Sequence, residues 1–174
     1  EEIEVGEEPD VTTITERKTY SWGYDPHNLT RHIDPSIHNK TIYHNTEYSM
    51  VKEMSFNDEC VMMKNYDDEF WYMGKNHTNL LGLDISLKDE VISDLTLWDV
   101  RSDIVKISLG TSHALFLTDT NEVYTCGSNI IGEAGIDNVD DHIDVLTKIP
   151  LLEKVLDVYA GHENSYFIVE DYID

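Results

Sequence analysis

Four histidines crowd one stretch of the chain: His27, His32, His38 and His44, at intervals of 5, 6 and 6 residues. Imidazole is a common transition-metal ligand, and its charge changes near neutral pH. These intervals fit no tetrahedral zinc spacing, and neither Cys60 nor Cys126 is close in sequence. The stretch therefore reads as an exposed loop with pH-sensitive charge, and no metal ligand is assigned. Ser112-His113 sets a nucleophile beside a base. Acyl transfer, however, needs those groups plus an orienting third group arranged in space, which adjacency alone does not supply. No Gly-rich phosphate loop leads from a strand into a helix. Neither a catalytic constellation nor a cofactor is expected, so the chemistry left is recognition. Trp98, in DLTLWDV, reads as a candidate anchor in a connecting segment. His113, Asn76, His77 and Asn129 are the other candidates.

Those residues must be held by something, and from Lys18 onward the texture is short runs of alternating apolar and polar residues bounded by Gly, Asn and Asp. This is an all-β pattern. The one helix candidate is short, around Leu151 to Val155. The runs repeat. EFWYMGKNHTNLLGL (69–83) and EVYTCGSNIIGEAGI (122–136) carry Gly74 and Gly127, Asn76 and Asn129, and Gly82 and Gly135 at one offset of 53. Upstream, VKEMSFNDECVMMKN (51–65) lies under VKISLGTSHALFLTD (105–119) at an offset of 54. Gly161 follows Gly110 by 51, and Gly23 precedes Gly74 by 51. In one unit, Val105–Ser108, Ala114–Thr118 and Val123–Cys126 read as strands, with a tight turn at 119–121. The same parse of 51–74 puts a turn at 65–68. A unit of ~50 residues with three or four short strands has the size of one propeller blade, and it must stack on neighbours to bury its faces. Trp22, Trp71, Tyr72 and Tyr124 fall at strand positions, where packing between such sheets is the expected role.

The 174 residues suffice for one core. Thirty-five acids against 12 bases leave a net charge of −23. Such a field repels phosphate backbones and anionic lipid, so neither direct nucleic-acid binding nor membrane attachment is expected, and a partner with a basic surface is favoured. Residues 1–10 hold six acids and no base, the start of an acidic tail over 1–17. No apolar run approaches the ~20 residues of a membrane span. The three N-x-T triplets, at Asn28, Asn39 and Asn76, read as chance. Two distant cysteines give no disulfide framework and point to a reducing, intracellular setting, cytoplasmic or nuclear.

The order V-x-x-x-x-G-x-x-H-A-L-x-L-T … V-Y-x-x-G-x-N-x-x-G-x-x-G at 105–135 resembles the repeat of the regulator of chromosome condensation family. Gly110, His113, Ala114, Leu115, Leu117, Val123, Tyr124, Gly127, Asn129, Gly132 and Gly135 carry the match. The copy at 51–83 keeps Trp71, Gly74, Asn76 and Gly82, with Phe56 in the first glycine's place and Glu59 in the histidine's. The copy at 155–174 keeps Gly161 and has Asn164 in the histidine's place, while 19–29 keeps Tyr20, Trp22 and Gly23. The resemblance implies a β-propeller of seven blades, of which this chain holds about three repeat lengths: 18–49 as a closing strand plus a long connection, 50–103 and 104–153 as repeats, and 154–174 as the start of another. Gly23, Gly74, Gly82, Gly110, Gly127, Gly132, Gly135 and Gly161 are its structural glycines. An open arc leaves sheet edges unpaired, so further chain or a partner is expected to cover them. In the family the motif histidine lies near a face with which some members engage a small GTPase. His113 is thus either part of such a face or a hydrogen-bonded staple of its own turn. The expected function is a non-catalytic protein-binding module within a regulatory assembly. The alternative is guanine-nucleotide exchange on a small GTPase, and a weaker third reading is an inhibitor that plugs an enzyme cleft.

Overall fold

The computed structural model describes residues 19–23 and 39–45 as backbone, and residues 51–137, 140–150 and 154–170 in full. The acidic tail and His27, His32 and His38 lie outside these residues, and of His44 only the backbone is described. Among the described residues twelve strands form: β1 (Thr19–Gly23), β2 (Asn39–Asn45), β3 (Val51–Phe56), β4 (Cys60–Asn65), β5 (Phe70–Lys75), β6 (Val91–Trp98), β7 (Ile104–Leu109), β8 (His113–Thr118), β9 (Val123–Ser128), β10 (His142–Lys148), β11 (Lys154–Ala160) and β12 (Ser165–Glu170). They pair antiparallel, in chain order, as β1-β2, β3-β4-β5-β6, β7-β8-β9-β10 and β11-β12. The chain is a partial β-propeller of antiparallel blades.

Burial explains why the second strand of each complete sheet is continuous in apolar character. In β8, HALFLT is buried at every position. Ala114 and Phe116 face one cluster, with Cys60, Met62, Phe70, Tyr72, Trp98, Ile104, Ile107 and Leu109. Leu115 and Leu117 face another, with Val123, Ile149, Val155 and Val158. A strand covered on both faces has no polar side to show. The outer strand β6 is instead exposed or half-buried at every position but Trp98, because it lies at the edge of its sheet. The β4–β5 and β8–β9 turns match: Asp68 and Asn121 both sit at positive φ, at 63° and 64°, which Asx residues tolerate. Side chains of the preceding turn cap them, with Asn65 Oδ1 accepting from the Asp67 and Glu69 amides and Thr118 Oγ1 from that of Glu122.

One polar contact recurs between sheets. Ser55 Oγ accepts from the Leu109 amide at 2.9 Å, and Ser108 Oγ accepts from the Ala160 amide at 2.9 Å. Each sheet thus hands its neighbour the same hydrogen bond one repeat further on.

Four sequence expectations change. The offset between the two complete sheets is 53 throughout, since Cys60 pairs with Gly74 as His113 pairs with Gly127. Asn57, not Phe56, therefore holds the place of Gly110, and Cys60, not Glu59, that of His113. The two exchanges are coupled by space. A Cβ at Gly110 would lie 2.6 Å from His113 Cε1 and 2.6 Å from the Gly161 carbonyl. With a cysteine in place of the imidazole, the first sheet admits Asn57, whose Oδ1 accepts from the Glu59 and Cys60 amides and closes the turn itself. Second, the segment containing Trp98 is no connection but the fourth strand β6, and the long segment after Gly23 likewise contains strand β2. Third, the expected closing strand, β1, does not stand alone ahead of its connection, because it pairs with β2. Fourth, Lys154 and Val155 begin β11, where a short helix was expected around 151–155. The remaining residues of that stretch lie outside those described.

Candidate binding surface

Antiparallel pairing sends the β3–β4, β5–β6, β7–β8, β9–β10 and β11–β12 connections out at corresponding ends of their sheets. Hydrogen bonds lock these ends together: Asn57 Nδ2 to the Gly110 carbonyl at 2.7 Å, Thr78 Oγ1 to the Ser112 carbonyl at 2.6 Å, and Asn79 Nδ2 to the Asp144 carbonyl at 2.7 Å.

The long β5–β6 loop is organised from within. Asn76 is fully buried. Its amide donates to Asn79 Oδ1 and to the Leu87 carbonyl, and its Oδ1 accepts from the Leu81 amide at 3.0 Å. Asn129 does the corresponding work in the β9–β10 loop, donating to the Ile136 carbonyl at 3.0 Å. Both asparagines hold loops rather than offering side chains outward. His77 is partly exposed, with Nδ1 3.1 Å from Asp89 Oδ1. In the β9–β10 loop the buried carboxylate of Glu133 accepts from Ser128 Oγ and the Ile131 amide, which fixes a tip where Ile130 and Ile131 are 63% and 61% exposed. Ile85, in the neighbouring loop, is exposed as well. The same set of connections carries exposed acids: Asp58, Asp84, Asp89, Glu90, Asp137, Asp140, Asp141 and Glu163. Among the described residues of these connections, no lysine or arginine is exposed; Lys88 is half-buried, 2.7 Å from Asp144. Sequence inspection missed the isoleucine tips, although two apolar residues between Asn129 and Gly132, inside a turn, were the signal.

His113 is buried against the next sheet, with Nε2 3.0 Å from Ser165 Oγ. That hydroxyl donates to the Glu133 carbonyl at 2.7 Å, so it accepts from His113 Nε2–H, and Nδ1 stays bare. A serine whose proton is directed at a carbonyl, beside an imidazole with no orienting partner, is not an activated nucleophile. The pair is a staple between sheets, and Ser112 contributes only its backbone carbonyl to Thr78 and Ser128. Trp98 is buried as well, stacked on Phe116 at 5.5 Å. It lies in the core between two sheets and has no face left for a partner. Of the structural glycines described with side chains around them, Gly74, Gly82, Gly127, Gly132 and Gly135 have positive φ, whereas Gly110 and Gly161 are held by lack of space. Cys60 and Cys126 are both free and buried, and burial pushes the Cys60 thiol up to about 12.

The His113 staple has a pH signature. Burial holds the imidazole below the ordinary histidine range, more strongly than the Glu133 charge and the contact with Asn164 raise it. A folded-state pKa below the unfolded one leaves stability untouched above about pH 6.5 and erodes it as pH falls further, because the unfolded chain takes up the proton first. Urea unfolding at pH 7.5 and pH 5.5 is expected to show a loss in the native chain that His113→Gln reduces. An equal loss in both would mean that His113 is solvated.

Residues 104–130 match the Regulator of chromosome condensation (RCC1) repeat. Alsin of Rattus norvegicus is 30% identical over 106 residues, which cover 59% of this chain and 6% of alsin. The X-linked retinitis pigmentosa GTPase regulator homolog of Caenorhabditis elegans is 33% identical over 69 residues, 39% of this chain and 5% of that protein. Among solved structures, yeast RCC1 (Prp20) bound to Kap60 superposes with a TM-score of 0.70 at 20% identity, over 86% of this chain and 37% of that one. Human WBSCR16 gives a TM-score of 0.70 at 15% identity, over 90% of this chain and 41% of that one. The chain thus spans well under half the length of each of these proteins. Two complete blades in one register, half-blades on either side of them in sequence, and the match at residues 104–130 identify this chain as a partial β-propeller that carries a regulator of chromosome condensation repeat.

Proposed function

We propose that this chain is a non-catalytic protein-binding segment of a propeller, and that its loop end takes a protein partner with a basic surface around an apolar groove. The observation that carries this reading is the pairing of exposed Ile85, Ile130 and Ile131 with eight exposed acids, and no exposed lysine or arginine, among the described residues of the same connections. Rigid loops displaying apolar anchors inside a charged rim suit recognition: the anchors supply affinity and the field speeds encounter. The same field disfavours nucleic acid and anionic membrane, and a cytoplasmic or nuclear setting fits the reduced cysteines.

The second reading is exchange on a small GTPase. It is favoured by the names of similar proteins, two of which are GTPase regulators and one an RCC1-like G exchanging factor-like protein. A panel of small GTPases loaded with fluorescent nucleotide separates the two. Binding without faster nucleotide release is the expected result, with affinity falling as salt rises and at least about tenfold weaker in Ile130→Ser/Ile131→Ser, the order expected from losing a hot-spot contact. Release accelerated by the native chain would replace the scaffold reading with the exchange reading. Binding that ignores both salt and the double substitution would show that this end of the blades is not the docking surface.

A further inference from the structure

We infer that a cleft at the turn end of the first complete sheet, β3-β4-β5-β6, takes a lysine side chain from a protein partner, with its ammonium held by Glu69 and Asp99. The pairing of β5 with β6 ends at Phe70 and Trp98, and Glu69 and Asp99 are the next residues on the two strand ends. Both line one cleft of about 260 Å³. Like charges at facing strand positions destabilise a sheet. Among the described residues no cation pairs with either one. Glu69 accepts from the neutral Asn65 amide at 2.8 Å, and Asp99 makes no hydrogen bond or ion pair. The other charges of the cleft are already balanced. Asp68 lies 2.9 Å from Lys52 and 3.0 Å from Lys64, while Arg101 is held by Asp103 at 2.6 Å over the Tyr124 ring.

The second complete sheet has what the first lacks. At the offset of 53, Glu122 holds the place of Glu69, and Tyr124 that of Trp71. Trp71 pairs with Leu97, whereas Tyr124 pairs with Lys148. Lys148 donates to Glu122 Oε1, an ion pair within the sheet. Leu97, in the place of Lys148, has no charge to offer Glu69. Two residues further along β6 the first sheet adds another acid, Asp99, where the second has Pro150. One position of the fold thus carries its own lysine in one blade and two carboxylates without a cation in the other.

Shape decides the form of the cation. Phe70 and Ile104 lie deep in the cleft, while Leu97, 42% exposed, stands at its open side. Lysine joins an apolar stem to an ammonium with three donors, so the stem can lie along Leu97 and Phe70 while the head meets both acids. A guanidinium instead favours the two oxygens of a single carboxylate. The volume falls below the ~300–1,000 Å³ of small-molecule pockets, which favours one side chain over a cofactor. The chain seats a lysine of its own in the same manner: the Lys64 ammonium bonds Asp68 and stands 5.3 Å from the centre of the Phe70 ring. The cleft lies at the opposite end of the sheets from Ile130 and Ile131, so the two surfaces can be tested separately.

The test titrates the full, ¹⁵N-labelled chain with an acetylated, amidated pentapeptide that carries one lysine among alanines. The amides of residues 67–69 and 99–102 are expected to shift and saturate. The same peptide with norleucine for lysine is expected to bind about threefold more weakly, the order of one exposed ion pair. Asp99→Asn is expected to lose that preference. Leu97→Lys gives the first sheet the lysine that the second already has, and it too is expected to lose the preference. Ile130→Ser/Ile131→Ser is expected to keep it. Circular dichroism confirms that each variant folds, and Leu97 and Asp99 are exposed positions that tolerate exchange. Shifts that are absent or scattered over the acidic surface would overturn the inference. So would equal affinity for the two peptides, or a lysine preference that survives in folded Asp99→Asn and Leu97→Lys.

Discussion

Trp98→Ala is expected to cost about 3–5 kcal/mol, the range of a large aromatic removed from a core, out of the ~5–15 kcal/mol that holds a domain of this kind. Three interactions disappear together. The indole stacks on Phe116 at 5.5 Å with the rings 10° apart, it meets Phe70 edge-on at 6.1 Å, and Nε1–H donates to the Leu81 carbonyl at 2.8 Å. Phe116 belongs to one sheet and Phe70 to the other, so the cavity would open at the joint between two blades. Trp98→Phe separates packing from polarity. It keeps most of the ring but leaves the Leu81 carbonyl unpaired, a loss of about 1–3 kcal/mol. Urea unfolding followed by far-UV circular dichroism measures both. An alanine variant within about 1 kcal/mol of the native chain would show that the joint does not depend on this ring.

Gly127→Ala is the second large effect, expected at about 2–5 kcal/mol from backbone strain and overpacking together. At φ +104° an L-residue is strained whatever surrounds it, and here the surroundings are backbone. The new Cβ would stand 2.3 Å from the Ser112 carbonyl oxygen and 2.7 Å from the Cα of His113. A side chain could turn away, but a neighbouring strand cannot without giving up its ladder. The contact is where His113 pairs with Gly127 and where the Ser128 amide donates to the Ser112 carbonyl at 2.8 Å. Gly132 is the control. Its φ is +85°, yet a Cβ added there would meet nothing within 4 Å, so Gly132→Ala should cost only the conformational part, about 1–2 kcal/mol. Similar midpoints for the two variants in urea would mean that crowding by β8 plays no part.

The repeat itself, the strand triplets, the Asx turns and the glycine positions were written in the amino acids. A blade must show two apolar faces at a fixed spacing, and period-two alternation and positive-φ residues leave marks at particular positions. Gly74, Gly127 and the turns at Asp68 and Asn121 are such marks. The fourth strand β6 was harder to read, because an outer strand half-exposed to water resembles a polar loop. The offset of 53 rather than 54 upstream of Gly74 could not be read off identities, because Asn57 with Cys60 and Gly110 with His113 are two solutions to one packing problem. Only the folded chain decided what the candidate residues do. Trp98, His113 and Asn76 look like display residues by type, but they turn inward, where Trp98 Nε1–H bonds the Leu81 carbonyl, His113 Nε2–H the Ser165 hydroxyl, and the Asn76 amide Asn79 and Leu87 of its own loop. Conversely, Ile130 and Ile131 look like core residues and stand in water, because the Glu133 carboxylate ties their loop to Ser128 and holds the tip clear of the sheet. Local chemistry sets which strands and turns can form; which side chains remain available is settled by what the next blade covers.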